Sequence, residues 1–243
     1  MPVNHNTEGR FPPQCRIVSS RGVFRKNGST IGSTFEAATA DDAGAIALLS
    51  YYSGQGHCTT STYDLLIPGR PGPTAERIYM MKRLVAAGAV SWLHFSHYEV
   101  ARLEGRAAAS VGSFGSKDSG NLDFIAALRE TGWTDREVAT MLSSVRVYAR
   151  VEPPIPQDTW IIENVATLPE YRGRGLVSAL LERAVERGRE RGFKKAQMAV
   201  HIGNEKALKV YEKGGFEITA TRTDPEFEVV FGCPGMWTMA RAL

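Results

Sequence analysis

Arg172-Gly173-Arg174-Gly175-Leu176-Val177-Ser178 lies between an apolar strand, residues 160–167, and the start of an amphipathic helix. A glycine-rich turn at a helix start leaves several backbone N–H groups free at the positive end of the helix dipole. Gly173 and Gly175 carry no Cβ, so an anion can approach the main chain closely. The chemistry this spacing offers is recognition of a phosphate or diphosphate, with the Arg172 and Arg174 guanidiniums available to answer its charge. For both arginines a solvated basic turn is the plainer alternative.

Two nucleotide-binding readings fit poorly. A dinucleotide fingerprint needs G-x-G-x-x-G/A and an acidic residue closing the next strand. Here Ser178 takes the third glycine's place, and the next strand ends Val200-His201 without a carboxylate. The G-x-x-x-x-G-K-[ST] string of a mononucleotide P-loop does not occur. More of the chain is used by a third reading. The run Glu163-Asn164-Val165-Ala166-Thr167-Leu168-Pro169-Glu170-Tyr171 continues through the glycine turn to Leu176, and is followed by Asn204, Ala207, Tyr211-Glu212-Lys213 and Gly215-Phe216. In order and spacing it resembles the GNAT superfamily of acyl-CoA-dependent N-acetyltransferases. The resemblance is close over residues 158–217 and looser for 35–52, 98–114 and the final strands. Residues 1–33 and 115–157 have no counterpart in it.

That resemblance implies an α/β (α+β) fold with a mixed, mostly antiparallel central sheet, a V-shaped splay, and helices on both faces. It implies that the amides of Arg172, Gly173, Arg174, Gly175, Leu176, Val177 and Ser178 bind the diphosphate of acetyl-CoA. The family motif reads Q/R-x-x-G-x-G/A, and its last place is Val177 here. The amide survives, but a β-branched side chain crowds the first helical turn and weakens or shifts binding. By position, free backbone groups of Val165, Ala166 and Thr167 meet the pantetheine arm and the thioester carbonyl, whose developing charge an N–H stabilises. Asn204 matches the family's donor-contacting asparagine, a role compatible with plain helix capping.

The implied reaction is amine attack on a thioester. An alkylamine with a pKa near 10 is only about 0.1% neutral at pH 7, a cost of roughly 4 kcal/mol, so a base is needed, and an acid for the departing thiolate. Tyr211 follows Asn204 by two helical turns and matches the family's general acid; packing on the sheet is its structural alternative. Glu163 matches a strand glutamate of many relatives and is the candidate base, with a structural or amine-anchoring carboxylate as the alternative. Period-two alternation places it on the same face as Val165 and Thr167. The position some relatives use on the next strand is Ala199, which cannot serve, and His201 is a weaker candidate. His94 and His97, three apart on a presumed strand, face opposite ways, so no metal site is expected.

The elements that must position these residues can be read from periodicity and caps. A short strand begins at Ser33. Thr39 with Asp42 caps a helix Asp41–Tyr52, and Thr74 caps another running to Gly88. Residues 98–114 form a hairpin turning at Glu104-Gly105. Helices follow over Asn121–Thr131 and from the Thr134/Glu137 capping box through Val138, Met141, Leu142 and Val145. Beyond the motif strand come a helix Arg174–Arg191, a strand Lys195–His201, a helix capped by Asn204, and strands near 216–221 and 235–241. That alternation implies parallel pairing with right-handed crossovers. The organisation expected is a basic, poorly ordered leader over 1–33 (a basic arm or a targeting segment) and one domain over 34–243. Within the domain, a helical insertion at 115–157 precedes the acyl-CoA-binding core at 158–217.

Composition narrows the partners. The 243 residues are 43% hydrophobic and 23% charged, and no apolar run approaches the roughly 18 residues of a membrane span. Cys15, Cys58 and Cys233 build neither a disulfide framework nor a metal knuckle, which favours a cytoplasmic setting. The net charge of +3 comes from the leader, which carries +4 and leaves the body at −1. A near-neutral body argues against a nucleic-acid surface. Partners are expected to be acetyl-CoA and an amine acceptor, with a homodimer compatible and no membrane or nucleic acid. The expected activity is acetyl transfer to a primary amine of a small molecule. A protein lysine or N-terminus as acceptor, and a catalytically weak acyl-CoA-binding regulatory module, are the alternatives. Acceptor choice should rest with the loop 53–73, the turn after Gly112 and the insertion. In that loop region Tyr51, Tyr52 and Tyr63 would line a pocket or pack in the core.

Overall fold

The computed structural model describes residues 20–26, 29–67, 69 and 72–243, with side chains from residue 32 onward. The strands are β1 (Ser20–Lys26), β2 (Ser29–Ala37), β3 (Tyr98–Leu103), β4 (Arg106–Gly115), β5 (Trp160–Thr167), β6 (Lys195–His201), β7 (Glu217–Thr223) and β8 (Gly235–Ala242). The helices are α1 (Ala43–Gln55), α2 (Thr62–Leu66), α3 (Ala75–Val85), α4 (Asn121–Glu130), α5 (Asp135–Ser144), α6 (Arg146–Ala149), α7 (Leu176–Glu190), α8 (Glu205–Lys213) and α9 (Pro225–Phe231). All described strands join one sheet in the order β1-β2-β3-β4-β5-β6-β8-β7. It is a mixed, mostly antiparallel sheet, because β5 with β6 is the parallel pair.

Local sequence explains the starts of these elements. Thr39 and Asp42 form a capping box for a single 3-10 turn that runs into α1. The Thr134 hydroxyl accepts from Glu137 N–H while the Glu137 carboxylate answers Thr134 N–H. Each face of the sheet then buries one apolar cluster. On one side α7 seats Leu180, Leu181, Ala184 and Val185 against Val111, Ile162 and Met198. On the other, α1, α3, α4 and α5 bring Ile46, Met81, Leu84, Phe124 and Met141 against Tyr98 and Val100. Each of the buried Leu, Ile, Val, Phe and Met side chains contributes about 1.5–3 kcal/mol. A third cluster, Phe227, Phe231, Val147 and Val151, joins α9 to α6.

Several expectations need correction. Parallel pairing does not extend along the C-terminal alternation: β8 inserts between β6 and β7 and pairs antiparallel with both. The helix α9 makes this possible by turning the chain back. Its signal was present as Asp224-Pro225, with the Asp224 carboxylate accepting from Glu226 and Phe227 N–H. The loop 53–73 contains α2, capped by Ser61 and Asp64. Structure does not wait for Ser33, since β1 and the start of β2 pair from Ser20 to Phe35; residues 1–19 and 27–28 of the expected leader lie outside the described residues. His94 and His97 are not on a strand but at a 3-10 turn, their rings 6.5 Å apart. Cys58 and Cys233, far apart in sequence, bring their thiols to 3.2 Å, whereas Cys15 is not among the described residues.

Candidate active site

The chain climbs β5, turns through residues 168–175 and enters α7. Gly173 and Gly175 sit in the left-handed region, at φ 75° and 72°. Among the described residues, none of the N–H groups from Gly173 to Ser178 donates to a backbone carbonyl. The first ladder bond runs from Ala179 N–H to Gly175 O at 3.1 Å. Six amides without a backbone acceptor thus lie together at a helix start on the cavity lining, the setting that suits a diphosphate. The Arg174 guanidinium lies over the Tyr171 ring at 5.4 Å, and Arg172 reaches back to Thr167 O at 3.4 Å. Both stay at the turn rather than in the core. Val177 sits in the first turn of α7, which is regular from Leu176 onward.

Beside this turn the sheet opens. β5 and β6 pair at Trp160↔Ala196 and Ile161↔Gln197, and then part. From Ile162 to Thr167, β5 has no partner strand on its β6 side, while β6 stays paired with β8 to His201↔Met236. This is the expected splay. It exposes main-chain groups of Val165, Ala166 and Thr167 to a cavity of about 1210 Å³. That cavity runs from the amide turn past Asn204 and Tyr211 to Glu163, and on among the helices of the insertion.

The carboxylate end is built by a bulge. Gly112 pairs with Glu163 and Ser110 with Ala166, so one residue of β5 is extra. Asn164 takes the strained place at φ 52°. Period-two alternation therefore fails here: Glu163 shares a face with Ala166, whereas Val165 packs with Ile162 on the α7 side. The expected grouping of Glu163 with Val165 and Thr167 is overturned by that single inserted residue. The Asn164 amide pins the bulge. Its Oδ1 accepts from Tyr63 Oη at 2.8 Å, and its Nδ2 donates to Tyr98 Oη at 2.8 Å and to Glu163 Oε1 at 3.0 Å. Burial, and then the nearby Glu152 charge, push the Glu163 carboxyl up to about 8.

Tyr211, on α8, is buried yet lines the cavity, and burial raises its phenol to about 12. The Asn204 Oδ1 caps α8 by accepting from Ala207 N–H at 3.3 Å, and its side chain also lines the cavity. His201 lies against Phe227 and Phe231, where burial, then the neighbouring His57, lowers it to about 4. Ala199 lines the same cavity with no ionisable group. Of the three tyrosines singled out earlier, Tyr52 and Tyr63 reach the cavity. Tyr51 instead donates to Asp64 at 3.1 Å, and Asp64 is paired with the buried Arg77.

Sequence reasoning missed Asn164, Tyr98, Tyr148 and Glu152. A polar Asn inside an apolar strand was the available sign of a bulge. Glu152 and Tyr148 carried no local signal, because their place depends on how the insertion folds back. Among the described residues, no group of three His, Cys, Asp or Glu side chains could hold a metal ion, and no helix is long and apolar enough to cross a membrane.

Known proteins match this architecture. Residues 91–216, more than half of the chain, match the acetyltransferase (GNAT) family. The uncharacterized N-acetyltransferase MJ1207 of Methanocaldococcus jannaschii is 34% identical over 56 residues, or 23% of this chain. That match spans only a quarter (25%) of the relative's length. An N-acetyltransferase structure from Staphylococcus aureus Mu50 superposes with a TM-score of 0.62 at 21% identity, covering 85% of this chain and 98% of that one. A GCN5-related N-acetyltransferase from Kribbella flavida gives 0.53 at 15% identity, covering 87% and 98%. These two structural likenesses carry the fold.

Proposed function

The chain belongs to the acetyltransferase (GNAT) family, and on that premise we propose that it transfers an acetyl group from acetyl-CoA to a primary amine of a small molecule. One observation carries the reading: the row of undonated amides from Gly173 to Ser178 opens onto the same cavity that holds Glu163 and Tyr211. The amides, with Arg172 and Arg174, hold the donor's diphosphate. Main-chain groups along Val165, Ala166 and Thr167, on the edge of β5 that the splay frees from β6, hold its pantetheine arm and thioester oxygen. Asn204 contacts the donor from the start of α8.

Glu163 takes a proton from the bound ammonium, directly or through water. The freed nitrogen lone pair forms a bond to the thioester carbon, and collapse of the tetrahedral adduct breaks the carbon–sulfur bond. The Tyr211 phenol gives its proton to the departing thiolate and recovers one as the new amide nitrogen loses its second proton. The net change is ammonium plus thioester to amide, free thiol and one released proton. A carboxyl raised to about 8 can take and return a proton near neutral pH, and a phenol raised to about 12 stays protonated until the thiolate departs.

The test is thiol release from acetyl-CoA across a panel of small primary amines, alongside thermal shift with acetyl-CoA. Amine-dependent thiol release together with stabilisation by acetyl-CoA supports the reading. Stabilisation without release from any amine would overturn the enzymatic assignment.

A further inference from the structure

Resting on the donor and amine reading above, we propose that the acceptor is a monoamine whose single ammonium is carried on an apolar body of aromatic or branched aliphatic character. The pocket for that body is built by the 115–157 insertion. A chain of contacts leads outward from Glu163. Asn164 bonds both the Glu163 carboxylate and the Tyr63 hydroxyl. The Tyr63 ring meets Trp92 at 6.5 Å, and Trp92 stacks on Phe124 of α4 at 4.6 Å. An aromatic wall therefore starts at the reacting carboxylate and leads away from it. Met141 of α5, Val145 at the junction of α5 with α6, and Tyr148 of α6 line the same cavity. Such a surface favours an apolar ligand body over a hydrated one.

The charges on this wall match one ammonium. Glu163 and Glu152 both line the cavity. Burial raises both carboxyls, and the Glu152 charge raises Glu163 further, so the two acidic side chains together offer a place for one ammonium beside the reacting end. Arg146, on the same lining, would repel a second ammonium from a diamine or polyamine. The family resemblance placed no counterpart for residues 115–157, and here that segment supplies Phe124, Met141, Val145, Tyr148 and Glu152. Specificity is thus written in the part of the chain that the shared core does not need.

The experiment compares three acceptor classes at saturating acetyl-CoA: 2-phenylethylamine and isopentylamine, then putrescine and spermidine, then a lysine-bearing peptide. Binding of 2-phenylethylamine is also measured by calorimetry without donor, so failure of the donor reading leaves this test standing. The expected result is a kcat/KM for the apolar monoamines about 100-fold above the other classes. Leu142→Lys, at an exposed position on the cavity lining that tolerates change, and Trp92→Phe should each weaken 2-phenylethylamine binding. The lysine variant should lose about tenfold or more, with the acetyl-CoA thermal shift kept. Glu152→Gln should raise KM for the amine more than it lowers kcat. Preference for putrescine, spermidine or the peptide would overturn the proposal. So would absence of 2-phenylethylamine binding, or Leu142→Lys leaving that binding unchanged.

Discussion

At the scale of single residues, the site turns on how Glu163 is held. Its carboxyl is pushed up to about 8 by burial and by Glu152, so about a tenth is ionised at pH 7. The kcat/KM should rise with pH through about 8. Glu163→Gln should lower it by about 10²–10⁴ and remove that inflection, read from a pH–rate profile at fixed acetyl-CoA. Linkage gives a second readout. A carboxyl raised above its unfolded value contributes stability at low pH and loses it as pH rises through the folded value. Wild type should therefore lose stability relative to Glu163→Gln between about pH 4.5 and 8, seen as diverging Tm values. For Tyr211→Phe, kcat should fall by about 10² while the acetyl-CoA Kd stays put, because the ring packing survives and only the proton is lost.

Among the elements, the turn before α7 and the contact of α7 with β5 matter most. Gly175 holds φ 72° at the helix start. Gly175→Ala should cost about 1–2 kcal/mol of backbone strain and disturb the six-amide row, weakening acetyl-CoA binding by about tenfold in calorimetry. On the same helix, a Cβ at Gly188 would come within 2.7 Å of Trp160 and 2.8 Å of Leu243. Trp160 is held by its indole N–H donating to Ala184 O at 2.8 Å and has little room to move. Gly188→Ala should cost about 1–3 kcal/mol in denaturant unfolding. The two variants differ in Kd: the first should lower both the unfolding midpoint and acetyl-CoA affinity, the second the midpoint with Kd kept.

Over the whole molecule, buried histidines set the acid limit. His97 and His201 are buried, and burial lowers each to about 4. Among the described residues, the Nε2 atom of each has no hydrogen-bond partner. Histidines kept neutral in the fold favour the unfolded chain once protons are available, so stability should fall as pH drops from about 6.5 towards 4. Thermal unfolding across that range should show the slope, and His201→Gln should flatten it even where its own Tm is lower. Ligand binding works in the opposite direction. Acetyl-CoA at 100 times its Kd should stabilise the fold by about 2.7 kcal/mol.

By itself, the sequence determined the family, the amide turn and most element boundaries. Each of these is written in neighbouring residues: glycines that permit a positive φ, caps three residues apart, and apolar periods of a helix or strand. The hairpin at Glu104-Gly105 and the capping box at Thr134 and Glu137 lie where local chemistry puts them. The tertiary structure alone decided which way Glu163 faces, because one inserted residue at Asn164 reverses the alternation and its strain is supported by Tyr63 and Tyr98, distant in sequence. It also decided that β8 enters between β6 and β7, and that Phe124, Tyr148 and Glu152 line the same cavity as Glu163. Those outcomes depend on packing between segments far apart in the chain, which no local pattern encodes.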